Sequence, residues 1–163
     1  MPTVRLSFSP APAHVRTARL VAVAVARRAG VAEELLEEIR LAIGEACSRA
    51  VALHRSHGVN NLIDVAMQDG DRFTVRVVDR ADGSATDPAM FLPDGPSGAM
   101  ADELADDTTV ELADAMAEEA VAARMGLALL SGLVDDLEVS SVADGLGTEV
   151  SMSWPVSRKP TDA

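Results

Sequence analysis

Glu45 and Arg49 stand four residues apart in the stretch 39–54, IRLAIGEACSRAVALH, among apolar residues that recur at three- and four-residue spacing. That spacing predicts a helix and stacks the two charges on one face. A carboxylate so placed can take a proton as a general base. A guanidinium can hold a phosphate or a carboxylate through its fork of donors. The plainer reading is an intrahelical ion pair on a partly wet face, worth roughly a few tenths of a kcal/mol. A third candidate is Asp79, which directly follows a β-branched run in VVDRADGS (77–84). Its carboxylate emerges at a strand end, and Gly83 permits a tight turn beyond it. Taken alone, this is equally a strand running into a solvent loop. His54, His57 and Gly58 read as a turn, and no further ligands converge on them to make a metal site.

The elements that must position these residues follow from pattern. TVRLSF (3–8) alternates and predicts a short strand, broken by Pro10 and Pro12. Residues 13–29 fit a helix, with a Val-rich centre that leaves a strand open, and Gly30 is a natural stop. A second helix covers about 32–53, with Glu33, Glu34, Glu37 and Glu38 at its positive end. Residues 60–67 and 72–78 predict a hairpin joined through Gln68-Asp69-Gly70-Asp71. A helix from near 126 to 134 then leads to a turn and a strand, and 140–154 completes a hairpin that bends at 144–147. Pro155 ends the last strand, and 157–163 is a frayed tail.

Between these parts lies a segment of different character. Residues 85–123 are rich in Pro and Gly at first and predict a helix over about 108–123. No Lys or Arg stands between Arg80 and Arg124, whereas Asp and Glu abound. This is the composition of an insertion or lid, too short and interrupted for a core of its own.

Composition sets the class. The chain of 163 residues suits one domain, 1–156 with the insertion inside it. It is 48% hydrophobic but only 2% aromatic, so Ala, Val and Leu must pack the core. A formal net charge of −12 argues against direct nucleic-acid binding, which needs a basic surface, and is compatible with a basic protein partner. No apolar run is long enough to span a bilayer and no signal-peptide pattern opens the chain, so a cytoplasmic location is expected. The single Cys47 can form no internal disulfide and reads as a small core residue.

The order of the motifs says more than any one of them. Glu45 on its helix, Asp79 and Gly83 after a strand, Gly126 opening a helix, and Gly147-Thr148 in the final hairpin together resemble the anti-sigma-factor serine kinases of the histidine-kinase-like ATPase superfamily, the Bergerat fold. The resemblance runs from about Val4 to Pro155. It implies a two-layer α/β sandwich, a mixed, mostly antiparallel sheet with helices on one face. It also implies ATP with magnesium as cofactor, a sigma factor and a small Ser-bearing antagonist protein as partners, and a homodimer. By that resemblance Glu45 is the catalytic base, Asp79 accepts a hydrogen bond from adenine, and Thr148 lies near the adenine pocket.

The chain departs from the pattern at three positions. Arg49 stands where the family has a magnesium-ligating Asn, Ala81 where the first glycine of the loop with Gly83 belongs, and Arg124 where a glycine precedes Gly126. A guanidinium offers only donors and cannot ligate a cation, although Arg49 could bind phosphate directly or pair with Glu45. Bulk at Arg124 would hinder the approach of backbone N–H groups to phosphate. These departures predict an ATP site that is weakened or lost, in a regulator acting by protein–protein binding. The alternatives are an active ATP-dependent serine kinase that phosphorylates an antagonist, and a scaffold or dimerisation module unrelated to transcription.

Overall fold

The computed structural model describes residues 2–81, 128–143 and 146–157. Five strands form one sheet in the order β1-β2-β3-β5-β4. They are β1 (Thr3–Phe8), β2 (Ile63–Asp69), β3 (Arg72–Val78), β4 (Asp136–Ser141) and β5 (Thr148–Pro155). Between β1 and β2 the chain forms α1 (Pro12–Ala29), a 3-10 turn (Glu33–Leu35) and α2 (Leu36–Ser56). Residues 128–133 are also helical. This is the α/β architecture expected from the sequence. All four strand pairings are antiparallel, so no parallel pair occurs among the described strands.

Strict alternation separates the two faces of the sheet. Ile63, Val65 and Met67 of β2, Phe73, Val75 and Val77 of β3, and Val150, Met152 and Trp154 of β5 are all buried. Their neighbours in sequence point the other way, as a period of two requires. α1 and α2 lie against the sheet and each other. Each helix carries a ladder of buried alanines at four-residue spacing: Ala18, Ala22 and Ala26 on α1, and Ala42, Ala46 and Ala50 on α2. Side chains this small let the two helices approach closely. Phe73 and Trp154 stack at a tilt beneath this layer, and the Trp154 indole N–H donates to Glu38 Oε1 of α2 at 2.8 Å. That bond joins β5 to the first turns of the helix that carries the candidate site.

Several element ends differ from the sequence expectation, among them the start of α1 at Pro12 and the end of β2 at Asp69. α2 proper starts at Leu36, because Glu33–Leu35 adopt the tighter 3-10 turn, and it continues to Ser56 rather than Leu53. β2 starts at Ile63, where pairing with Phe8 begins, not at residue 60. His54 is not a loop residue: it sits in the last turns of α2 and is fully buried. Gly30 does stop α1, in a left-handed conformation at φ 89° with its N–H on the carbonyls of Ala26 and Arg27. Cys47 is a core residue, and burial pushes its thiol up to about 12 against the opposing charge of Arg19. The insertion 85–123, its helix, and most of the tail lie outside the described residues.

Candidate functional site

Three of the sequence candidates meet where α2, the end of β3 and the start of β5 converge. Arg49 projects from α2 to Asp79, with its Nη1 3.3 Å from Asp79 Oδ2, and the two side chains are 3% and 2% exposed. Asp79 follows the last residue of β3, and its backbone N–H donates to the Thr148 carbonyl at 3.0 Å, extending the β3–β5 ladder by one bond. Its carboxylate also accepts the backbone N–H of Ala81 at 3.1 Å and a backbone bond from Thr148. Thr148 is buried at the mouth of β5. The intrahelical pair of Glu45 with Arg49 does not form. Glu45 is half-buried one turn earlier on α2, without a partner among the described residues.

Gly147 makes the convergence feasible. Its φ is 114°, and a Cβ there would overlap the carbonyl oxygen of Asp79. Only glycine lets the hairpin strand pass this close to the backbone of the β3 exit. Ala81 is buried and turns its N–H onto Asp79. Gly83, Arg124 and Gly126 lie outside the described residues.

Burial is the largest influence on both charges of the pair. It pushes the Asp79 carboxyl up and draws the Arg49 guanidinium down, while their mutual attraction works the other way on each. Two charges leaving water together cost more than a surface pair returns, so such a pair is held by its surroundings and by added hydrogen bonds. Here those are the N–H groups of Ala81 and Thr148.

A fourth residue, not anticipated from the sequence, completes the cluster. His54 Nδ1 donates to the Asn61 carbonyl at 3.1 Å, and its Nε2 accepts the Arg80 N–H at 2.8 Å. Both contacts together require the neutral ring protonated on Nδ1. Burial, opposed by the Asp79 charge and the Asn61 bond, holds the imidazole below its ordinary range. His54 thereby fixes the strand-to-loop turn that carries Asp79. The only sequence signal was its place five residues beyond Arg49 on the same apolar helix.

Among the described residues, no three His, Cys, Asp or Glu side chains gather as a metal cluster, and no helix is long and apolar enough to cross a membrane. Chemically, the cluster pairs an anion with a cation at the end of the sheet, beside a free carboxylate on α2. The chain matches the histidine kinase-like ATPase domain family over residues 8–154 and belongs to it. None of the curated proteins matches the chain.

Two outcomes test this site. Arg49→Met leaves the Asp79 carboxylate buried and unpaired, and is expected to lower stability by about 3–5 kcal/mol in urea denaturation at neutral pH. Adding Asp79→Asn, which removes the stranded charge but keeps an acceptor, should recover part of that loss, whereas strictly additive losses would mean that the two side chains do not interact.

The second outcome concerns pH. The unfolded chain takes up a proton at His54 near the ordinary pKa of about 6.5, and the folded protein resists it. Stability from the neutral ring is therefore present above that value and lost as pH falls through the depressed folded pKa. The raised Asp79 carboxyl acts in the opposite sense, since the folded form takes its proton first as pH falls. Comparison with His54→Gln largely cancels that contribution. The stability advantage of the wild type over this variant should shrink from pH 7 to pH 5, and a constant difference would contradict the neutral-ring assignment.

Proposed function

We propose that this protein is a regulator of the anti-sigma type that acts by binding other proteins, with the ATP chemistry of its family weakened or lost. The observation that carries this reading is the buried contact of Arg49 with Asp79. The residue at the magnesium-ligand position is a cation with donors only, and it engages the carboxylate that the family uses to accept adenine. The described residues therefore do not fit a magnesium–ATP complex. A purine amino group would have to compete for Asp79 with a guanidinium already desolvated against it, and a divalent cation would meet like charge. The partners that suit this reading are a sigma factor and a small antagonist protein bearing a phosphorylatable Ser, met by a homodimer. A net charge of −12 favours association with basic partner surfaces.

One observation favours a second reading. Glu45 is not tied up by Arg49, so the objection that its basicity is quenched by an ion pair does not apply. An ATP-dependent serine kinase built on Glu45 is the alternative.

Calorimetry with ATP and magnesium separates the two. The wild type should bind weakly or not at all, and Arg49→Asn, which releases Asp79 and supplies a neutral oxygen, should raise magnesium-dependent affinity. Low-micromolar, magnesium-dependent binding by the wild type would replace the first reading with the second. Identification of proteins captured by the purified chain tests the partner assignment, which a sigma factor or an antagonist among them would support. Partners unrelated to transcription would contradict it.

A further inference from the structure

Between α1 and α2 lies a groove that does not include Arg49 and that the cluster around Asp79 leaves unexplained. α1 and α2 enclose a cavity of about 250 Å³ whose lining includes Arg16, Arg19 and Arg55 together with Val15, Val51 and Ala52. No acidic residue is among the described residues that line it, in a chain whose formal net charge is −12. Guanidiniums around one small cavity repel each other. Arg16 and Arg19 make no ion pair with any described residue.

Arg19 also lies close against the neighbouring helix. Its side chain lies on Gly44 of α2, where a Cβ would overlap Nε and crowd the guanidinium carbon. The Nε is buried without a hydrogen-bond partner, the only such side-chain atom among the described residues. A glycine in the interior of a helix weakens it, and an orphaned buried donor weakens the fold further. An anion that accepted the Nε–H of Arg19 would remove the second of these costs.

We propose that this groove binds a small dianionic oxyanion with a short apolar body. The guanidiniums of Arg16 and Arg19 would take the oxyanion, since Arg presents paired donors that match carboxylate and phosphate oxygens. Val15, Val51 and Ala52 would take the body, and the volume limits it to about the size of one aromatic ring. The site is independent of the ATP position, because Arg49 and Asp79 do not line it.

Two probes test it at constant ionic strength: phenyl phosphate and phthalate, titrated into the full chain and followed by two-dimensional amide NMR. At least one should saturate, with the largest shifts at the residues flanking the groove on α1 and α2. Binding of phenyl phosphate alone would assign a phosphate ligand, and binding of phthalate alone a dicarboxylate. Arg16→Ala with Arg19→Ala should weaken the affinity at least tenfold, and Arg40→Ala, outside the groove, should leave it unchanged. Should the double variant fold poorly, the exposed Arg16→Glu should produce the same loss. Equal affinity in wild type and groove variants, or no saturation by either probe, would overturn the proposal.

Discussion

An ion pair with both side chains almost wholly removed from water constrains everything near it. Arg49 and Asp79 come from elements far apart in the chain, so their contact exists only when α2 lies in register over the end of β3. The pair is not a strong source of stability, because the cost of desolvating both charges offsets most of their attraction. Its effect is selective: arrangements that separate the two leave a buried charge unmatched, and such arrangements are heavily disfavoured. Gly147, Thr148, Ala81 and His54 surround this contact and supply what the charges need, namely close backbone approach, N–H donors and a fixed turn.

The same contact sets the chemical character of the site. A buried carboxylate at the exit of β3 is matched to a permanent cation, and the position four residues beyond Glu45 on α2 presents only N–H donors. Glu45, one turn away, stays clear of the pair. The site thus combines a half-buried carboxylate on α2 with an anion that is already paired. The α1–α2 layer has a second charged face, where Arg16, Arg19 and Arg55 line one groove. The acidic balance of the chain as a whole therefore does not describe each of its surfaces.

Much of the fold was legible because its periods are clean. β3 runs from Arg72 to Val78 as its alternation requires, and Gly30 ends α1 for the conformational reason that marks it in the sequence. That Ala, Val and Leu carry most of the packing followed from a chain with few aromatic residues, but the alanine ladders on α1 and α2 did not. What the sequence left open was long-range. Spacing on one helix offered Glu45 as the partner of Arg49, since residues four apart are neighbours there. The choice of Asp79 depends on the packing of α2 over the sheet, which no local pattern encodes. His54 was obscured for a similar reason: a histidine followed by His57 and Gly58 resembles a turn, and only the register of α2 buries it against the Arg80 backbone. Gly44 carried no signal until Arg19 was seen to lie across it.

The central claim is that Arg49 holds Asp79 in place of a nucleotide, and side-chain NMR of Arg49 tests it directly. The Nε–H and guanidinium signals of Arg49, together with the carboxyl carbon of Asp79, can be followed during addition of ATP and magnesium to millimolar concentration. The account predicts that these signals report a slowly exchanging, mutually bonded pair and stay in place throughout the titration. Displacement of the Asp79 carboxyl and release of the Arg49 signals at low nucleotide concentration would contradict it.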